Sequence, residues 1–382
     1  NMKKNIFTSL GLMSGTSMDG VDLSVIKSDG FSKVEQLYDK YYEFDDSLHN
    51  DLINLREHLN KAEDLNKYEK KINDAEKKFT LFNSKIINEV INETGLKIDL
   101  VGFHGQTILH LPKQKISKQL GNGNLLSQLS KCLIVNQFRQ NDLDNNGQGA
   151  PLTPIFHNLI TKKLNEIFNL NYPIDIINIG GITNVSQRIN EGDLKENFFA
   201  YDISPGNCLI DEWIRKNTNK RFDEDGEFAN SGKVNDLIFN QAIENLEIDS
   251  INESLDVKDF NISFVKGLSL EDGCATLTKF SAYLISEGLK KIDKLNNVNT
   301  KNFIICGGGR KNKTLINYIN EFMNINEITL KDIDEFDFNG DFVESQAFAY
   351  LAIRRFLDLP ISFPNTTRCK EPCIGGEIIK NF

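Results

Sequence analysis

The sequence predicts an α/β protein built from two domains. A chain of 382 residues is longer than one hydrophobic core usually serves. Two domains of roughly 150–200 residues each are therefore expected. Short apolar runs typical of strands alternate in both halves with longer amphipathic stretches typical of helices. A strand, a glycine turn and a second strand recur at Leu10–Val25 and Ile176–Ser186, which gives limited support to a duplicated architecture.

The first half begins with a predicted β-hairpin. The apolar run Ile6–Met13 breaks at the polar segment Ser14–Gly20, and Val21–Ile26 then resumes with apolar and polar residues in alternation. Within Leu65–Val90, apolar residues recur at steps of three and four, and Gly95 follows the run. This spacing predicts an amphipathic helix of about eight turns whose aromatic stripe faces the core.

Two further strands are expected before the middle of the chain. Leu100–Phe103 and Cys132–Asn136 are short apolar runs, and the second leads towards the polar loop Asp142–Gly149. Ala150-Pro151 then starts a predicted helix that runs through Leu164, because proline is well tolerated at the start of a helix.

The second half repeats the alternation of strands and helices. Ile174–Ile179 and Phe303–Cys306 are apolar runs, and each ends in consecutive glycines. Lys313–Met323 and Phe342–Phe356 carry apolar stripes at helical spacing. These segments are predicted as two strands and two helices.

The expected domain limits follow from this order of elements. Residues 1–140 are predicted to form an N-terminal α/β domain and residues 141–359 a C-terminal α/β domain. The boundary falls in the polar loop before Ala150. The segment of about 360–382 is expected to pack back on the first domain.

The composition argues against nucleic-acid binding and membrane insertion. The formal net charge is −10, and no stretch clusters Lys and Arg as the neutralisation of phosphates requires. No apolar run reaches the roughly 18 residues of a membrane-spanning helix. The N-terminal residues also lack the apolar segment of a secretory signal, so the expected location is the cytoplasm.

The six cysteines are scattered and do not resemble a disulfide framework. Cys369 and Cys373 alone lie close together in the sequence. A metal or redox pair is the less favoured interpretation of these two, because a zinc site would need two further ligands nearby.

Glycine-rich turns follow three of the apolar runs. In α/β sheets the carboxyl ends of strands line the ligand site, so such turns can converge there. Their backbone N–H groups can cradle phosphate oxygens, and Asp19 can hold Mg²⁺ directly or through water. One such turn alone is more typical of a tight hairpin, whereas three favour nucleotide binding. The candidate nucleotide-binding residues are Ser14, Gly15, Thr16, Ser17, Met18, Asp19, Gly20, Val21, Gly180, Gly181, Asn184, Gly307, Gly308 and Gly309.

Asp202 is the candidate catalytic base. It ends the apolar stretch Phe198–Tyr201 and precedes a Pro-Gly turn, so its carboxylate is expected at a strand end. A turn or helix-capping aspartate is the alternative. The candidate substrate-binding residues are His104, Thr107, Arg139, Asp142 and Glu344. A neutral, hydrogen-bonded ring is the alternative for the histidine, and a surface ion pair is the alternative for the charged residues.

The segment Gly11–Asp22 resembles the N-terminal signature of the anhydro-N-acetylmuramic acid kinase family. Further matches follow in the family's order over nearly the whole chain. The first motif is specific to the family, and the others alone would not be. The further matches are Gly102–Thr107, Gly147–Leu152, Asn178–Val185, Asp202 with Pro205–Asn207, Asp225-Gly226, Cys306–Gly309, and Glu344 with Ala347–Ala349.

The resemblance implies the fold of the actin, hexokinase and Hsp70 superfamily. Two ribonuclease H-like α/β domains would then surround a central cleft, with the three turns as the phosphate-1, phosphate-2 and adenosine motifs. It also implies that ATP with Mg²⁺ phosphorylates O6 of 1,6-anhydro-N-acetylmuramic acid while water opens the anhydro bridge at C1. The product would be N-acetylmuramic acid 6-phosphate, for peptidoglycan recycling. By position, Asp202 matches the family's catalytic aspartate.

The chain departs from the family pattern at three places. Ser204 stands where the family usually has glycine, Glu253–Asp259 has lost a Lys and an Arg, and Thr367–Cys369 replaces Thr-Gly-Ala. The second departure keeps open a related sugar kinase with a different carbohydrate substrate. A non-catalytic switch of the Hsp70 type would require an appended peptide-binding domain, and about 25 residues follow the last predicted helix. The expected partner is a small-molecule sugar, with a homodimer as the alternative to a monomer.

Overall fold

The computed structural model describes residues 6–245, 260–323 and 329–382. They divide into two compact units. The first unit comprises Asn1–Leu159 with Phe342–Phe382, and the second unit comprises Ile160–Asp341. Among the described residues, no helix is long and apolar enough to span a bilayer. The segment Glu253–Asp259, one of the departures from the family pattern, lies outside the described residues.

Each unit contains one sheet with helices packed on it. The strands are β1 (Phe7–Ser14), β2 (Gly20–Ser28), β3 (Val34–Glu43), β4 (Leu100–Leu111), β5 (Ile116–Leu120), β6 (Ile134–Asn136), β7 (Ile174–Ile179), β8 (Ile182–Arg188), β9 (Phe198–Pro205), β10 (Asn302–Cys306), β11 (Thr329–Asp332) and β12 (Glu377–Ile379). The α-helices are α1 (Asp46–His58), α2 (Ala62–Lys67), α3 (Glu69–Thr94), α4 (Gly123–Ser130), α5 (Gln140–Asp144), α6 (Pro154–Phe168), α7 (Leu194–Asn197), α8 (Cys208–Asn217), α9 (Glu227–Ser231), α10 (Asp236–Glu244), α11 (Leu270–Asn296), α12 (Lys313–Met323), α13 (Val343–Phe356) and α14 (Pro364–Thr367).

The two sheets share one strand order. In the first unit the order is β12-β6-β4-β1-β2-β3, with β5 paired to β4. Strands β1, β2 and β3 are antiparallel neighbours, whereas β4 is parallel to β1 and β6 is parallel to β4. In the second unit the order is β11-β10-β7-β8-β9. Strands β7, β8 and β9 are antiparallel neighbours, β10 is parallel to β7, and β11 is parallel to β10.

Each unit therefore carries the ribonuclease H-like arrangement. Three consecutive strands form an antiparallel meander, and two later strands add in parallel on the free side of the first one. The predicted α/β class and the duplicated architecture are confirmed by these two sheets. The central cleft stays a prediction.

The observed limits of the two units differ from the predicted ones. The loop after α5 belongs to the first unit, where the backbone N–H of Gln148 donates to the carbonyl of Thr367 at 2.7 Å. Helix α13 belongs there as well, because it packs on β1, β2 and β4. Residues 141–159 and 342–359, predicted in the C-terminal domain, thus lie in the first unit. The segment 360–382 is also in the first unit, and its strand β12 pairs with β6.

One face of the first sheet packs against the α3 helix. The ring of Phe79 in α3 stacks on Phe103 in β4 with centroids 6.0 Å apart, and Phe79 is 1% exposed. The aromatic stripe is therefore core, as predicted. The helix itself is shorter than predicted, because Leu65 lies in the separate helix α2. Gly95 ends α3 in the left-handed region with φ of 66°.

Helix α13 covers the opposite face of the same sheet at very short range. Gly11 in β1 and Gly102 in β4 are neighbours in register. A Cβ atom on Gly11 would lie 1.9 Å from the carbonyl oxygen of Ser345, and one on Gly102 would lie 2.2 Å from the carbonyl oxygen of Phe348. Only glycine lets the helix backbone come this close to the sheet.

The second unit has its own core around its sheet. Buried side chains of β7 and β10, such as Ile177 and Phe303, pack against Ile285 and Leu289 of the long helix α11. Leu315 of α12 joins the same cluster. The strands that carry the candidate site residues are thus packed on a buried apolar layer.

We expect Gly11→Ala to lower the free energy of unfolding by about 1–3 kcal/mol, because the added methyl group overlaps the α13 backbone. Urea or thermal denaturation measures this change. Gly15→Ala is the matched control, since a Cβ atom there would meet no atom within 4 Å. The control should change the free energy of unfolding by less than about 0.5 kcal/mol. Equal stability of the two variants would contradict the packing of α13 on β1.

Candidate active site

Four polar or sulfur side chains form a row across the second sheet. Cys306 of β10 is in register with Asn178 of β7, Asn178 with Asn184 of β8, and Asn184 with Asp202 of β9. Residues paired in register point to the same face of a sheet. We call Cys306, Asn178, Asn184 and Asp202 the polar row. It places the candidate base on the same face as the candidate amide of Asn184.

Two of the predicted glycine turns lie at the carboxyl-terminal ends of β7 and β10, which we call the sheet edge. Gly180-Gly181 follow β7, and Gly307–Gly309 follow β10, directly beyond the polar row. The turn after β9 joins them, because the N–H of Gly206 donates to the carbonyl of Gly181 at 2.9 Å. The N–H of Asn207 donates to the carbonyl of Gly180 at 2.8 Å. The second unit thus brings Asp202 and both of its glycine turns to one edge.

The polar row contains an acceptor that has no partner within the described residues. Asn184 is half-buried, and its Oδ1 atom is buried without a hydrogen bond there. Asp202, directly opposite, is 8% exposed. Buried polar atoms are nearly always hydrogen-bonded in folded proteins, so an open acceptor here fits a site that receives a donor from a ligand or from water.

The Gly307–Gly309 turn has the backbone that glycine allows. Gly307 has φ of 81°, and a Cβ atom there would lie 2.5 Å from Oδ1 of Asn178. A Cβ atom on Gly308, by contrast, would meet no atom within 4 Å. Open space beside an exposed glycine backbone is what a ligand needs in order to approach the main chain closely.

Arg310, which is not among the residues predicted from the sequence, anchors this turn. Its guanidinium donates to the carbonyl of Gly307 at 3.1 Å and to carboxylates of Asp341, Asp334 and Asp332 at 2.7, 2.8 and 3.2 Å. The side chain is 2% exposed. Burial lowers the pKa of Arg310, but the hydrogen bonds that it donates to Asp341 and Asp334 outweigh this effect and raise the pKa above its ordinary value. No spacing in the sequence links these acidic residues to the turn.

In the first unit, the turn between β1 and β2 is tied to β4 by Gln106. The Gln106 side chain hydrogen-bonds the Ser14 hydroxyl, and its Nε2 donates to the carbonyl of Gly15 at 3.0 Å. The Ser14 hydroxyl also lies 3.0 Å from the carbonyl of Gly20. Gln106 lies inside a matched motif, but nothing in its spacing predicts this contact.

Only part of the predicted turn faces outward. Thr16 and Ser17 are exposed, and Asp19 is half-buried with Oδ1 3.7 Å from Nδ1 of His49. Met18 and Val21 are each 1% exposed and belong to the hydrophobic core. Their side chains therefore support the turn from the core and are not accessible to a ligand.

The buried His104 pairs with the half-buried Arg139 in the first unit. Nη2 of Arg139 lies 2.9 Å from Nε2 of His104, and Nη1 donates to the carbonyl of Gly149 at 2.7 Å. Arginine can only donate, so Nε2 accepts and the ring proton sits on Nδ1, which donates to the carbonyl of Gly105 at 2.7 Å. Burial, followed by the Arg139 charge, lowers the pKa of His104 to about 3. His104 is thus a neutral, oriented ring.

The other candidate sugar residues fall in different surroundings. Thr107 is half-buried in β4, where its hydroxyl accepts from Gln119 at 3.1 Å. Glu344 is half-buried in the first turn of α13. Asp142 is 1% exposed, and its Oδ1 accepts from the hydroxyls of Ser362 and Thr367 at 2.6 and 2.5 Å. The structure therefore places Asp142 in the interior, held by its own chain.

Two ribonuclease H-like units with glycine turns at their sheet edges define the actin- and hexokinase-type class of proteins. Residues 7–381 match the family described as anhydro-N-acetylmuramic acid kinase. The chain belongs to the anhydro-N-acetylmuramic acid kinase family. The predicted enzyme class, a kinase, is confirmed by this membership.

Curated relatives match over their full lengths. The anhydro-N-acetylmuramic acid kinase of Pelagibacter ubique is 49% identical, covering 99% of this chain and 100% of the relative. That of Zymomonas mobilis is 34% identical, covering 97% of this chain and 99% of the relative. Among solved structures, the Schistosoma mansoni hexokinase complexed with glucose is similar with a TM-score of 0.44 at 10% identity, covering 91% of this chain and 85% of that one.

We expect the His104 ring to stay neutral in the folded protein from pH 8 down to about pH 5. Its pKa is lowered to about 3, whereas the unfolded ring takes up a proton near pH 6.5. Between those two values the unfolded state binds more protons, so the free energy of unfolding decreases as the pH falls. Side-chain NMR of histidine-labelled protein measures the ring, with the urea-unfolded chain as control. A folded-state titration near pH 6.5 would contradict the burial of His104 beside Arg139.

Proposed function

We propose that this protein is an ATP-dependent kinase that opens 1,6-anhydro-N-acetylmuramic acid with water and phosphorylates its O6. The products are N-acetylmuramic acid 6-phosphate and ADP. Family membership supports the substrate class. The observation that carries the chemistry is the polar row, since it puts Asp202 at the sheet edge where the Gly180-Gly181 and Gly307–Gly309 turns begin.

Asp202 is proposed as the general base. Its carboxylate takes a proton from water, and the water oxygen forms a bond to C1 of the sugar. The C1–O6 bond breaks, and its electron pair stays on O6. O6 then bonds to the γ-phosphorus of ATP, and the bond to the β–γ bridging oxygen breaks, releasing ADP. One carboxylate therefore starts both bond changes.

The nucleotide contacts are assigned to backbone turns. The chain has a net charge of −10 and no cluster of Lys and Arg that could bind a triphosphate. The backbone N–H groups of the glycine turns are therefore the expected donors to the phosphate oxygens. The open space at Gly15 and at Gly308 fits close approach of a ligand to the main chain. Asn184 offers its amide beside the base.

Mg²⁺ is the expected cofactor, and Asp19 is the residue assigned to hold it, directly or through water. Its half-buried carboxylate lies in the Ser14–Gly20 turn, and carboxylate oxygen is a ligand that Mg²⁺ prefers. The ion would neutralise charge on the β- and γ-phosphates.

Three side chains of the first unit are assigned to the sugar. The Arg139 cation can pair with the lactyl carboxylate, and its hydrogen bonds to His104 and Gly149 hold it in one orientation. Thr107 and Glu344 are half-buried polar groups suited to sugar hydroxyls. Asp142 is left out of this set, because its burial and its hydrogen bonds point to another role.

The reaction itself is tested by product mass spectrometry. The protein is incubated with ATP, Mg²⁺ and anhydro-N-acetylmuramic acid in ¹⁸O-labelled water. We expect one added phosphoryl group and one ¹⁸O atom at the anomeric hydroxyl. Phosphorylation of other sugars in place of this one would favour a related kinase with a shifted substrate and contradict the proposal.

We expect Asp202→Asn to lower turnover by about 100- to 10,000-fold, because an amide cannot accept the water proton. Binding of a non-hydrolysable ATP analogue should stay at the wild-type level, since the base acts in the transition state. Activity within about tenfold of wild type would reject the assigned role.

Asp175→Asn is the matched control. Asp175 is fully buried at the other end of β7, in register with Gln187. Burial, with the Asp293 charge as a second cause, raises the pKa of Asp175 well above its ordinary value, so its neutral form resembles asparagine. Turnover of this variant should match the wild type.

A further inference from the structure

Cys369, Cys373 and Asp142 form a compact buried cluster in the first unit. The ligand atoms of the three side chains all lie within 4.8 Å of one another. The exposed fractions of Cys369, Cys373 and Asp142 are 2%, 3% and 1%. The cysteines come from the segment after α14, and the carboxylate comes from α5. The fold thus supplies a further ligand that the sequence spacing of the two cysteines does not show.

The carboxylate of this cluster is held in one orientation by hydrogen bonds. The backbone N–H of Gly149 donates to Oδ2 of Asp142 at 2.7 Å. The hydroxyls of Ser362 and Thr367 donate to Oδ1 at 2.6 and 2.5 Å. Carboxylates that ligate metals are characteristically oriented by such outer hydrogen bonds.

The backbone around the two sulfur atoms is also tied down. The N–H of Cys373 donates to the carbonyl of Ser362 at 3.0 Å, and the N–H of Ile361 donates to the carbonyl of Cys373 at 2.8 Å. The N–H of Lys370 donates to the carbonyl of Asn145 at 3.1 Å. The ligand atoms are therefore close together before any cation arrives, so binding orders little additional chain.

We propose that Asp142, Cys369 and Cys373 bind one thiophilic divalent cation of the Zn²⁺ class. Two thiolates and one carboxylate are ligands that Zn²⁺ accepts, and three protein ligands leave a fourth position for water. The site is separate from the Mg²⁺ assigned to Asp19, because Mg²⁺ prefers oxygen ligands alone.

The charge of the site favours this assignment. Without metal, two neutral thiols and one carboxylate carry a single negative charge. On binding, each thiol loses its proton to solvent, and two thiolates, one carboxylate and one divalent cation again carry a single negative charge. The buried volume therefore takes up the cation without a change of net charge, and the cation and its ligands neutralise most of one another's charge.

The test uses the full chain, stripped of metal by a chelator and kept reduced. Co²⁺ and Zn²⁺ are titrated separately, with the sulfur-to-cobalt absorption bands and a competing chromophoric chelator as readouts. We expect one equivalent of metal per chain, and release of about two protons per Zn²⁺ in weakly buffered solution near neutral pH.

Cys369→Ser and Cys373→Ser should each weaken binding at least about 100-fold and remove the sulfur-to-cobalt bands, because a neutral hydroxyl replaces a thiolate ligand. Cys132→Ser is the matched control, since Cys132 is a buried free cysteine of the same unit outside the cluster. The control should bind metal like the wild type. Ser362→Ala is the milder variant for the case that a cysteine variant does not fold, with an expected loss of about 10- to 100-fold.

Several results would overturn the proposal. The first would be that the wild-type protein does not bind stoichiometric Co²⁺ or Zn²⁺, although its mass shows that all of its thiols are reduced. Another is metal binding that the cysteine variants leave unchanged. A disulfide between Cys369 and Cys373 on mild oxidation, with no metal uptake by the reduced form, would replace the metal site by a redox pair. None of these readouts depends on kinase activity, so a negative result would not contradict the proposed function.

Discussion

The register of four neighbouring strands in the second unit sets the position of the candidate base Asp202. Cys306, Asn178, Asn184 and Asp202 share one row, so the carboxylate and an open amide oxygen face the same way. Because side chains alternate along a strand, a slip of one residue in β9 would turn Asp202 to the opposite face. Because Cys306 pairs with Asn178, β7 and β10 end side by side. Their glycine turns therefore follow the polar row that contains Asp202.

The two units fix their turns by different means. In the first unit a neutral side chain, Gln106, bonds both Ser14 and the carbonyl of Gly15. In the second unit a buried cation, Arg310, bonds the carbonyl of Gly307 and is balanced by acidic neighbours. Backbone donors that are held in place before a ligand arrives need no rearrangement during a reaction. Each unit thus holds a candidate turn in place with a side chain that bonds a backbone carbonyl of that turn, a neutral amide in the first unit and a buried cation in the second.

A single loop connects the proposed sugar contacts with the cysteine cluster. The carbonyl of Gly149 accepts from Arg139, and its N–H donates to Asp142. Asp142 in turn lies against Cys369 and Cys373. The neutral His104 completes the chain of contacts at the other end. The cluster and the guanidinium are therefore connected through the backbone of a single residue, Gly149.

Hydrophobic periodicity and turn chemistry are local properties, and the sequence by itself determined what they encode. It located the glycine turns, helix Lys313–Met323 as observed, and the family signature. It also placed Asp202 in a strand, although β9 runs on to Pro205, so that Asp202 lies within the strand and not at its end. Tertiary structure alone decided the unit limits, the burial of Asp142, and the contacts of Gln106 and Arg310. Each of these features arises from contacts between residues that are distant along the chain. Such contacts depend on strand order and helix packing, which cannot be predicted from the spacing of residues in the sequence.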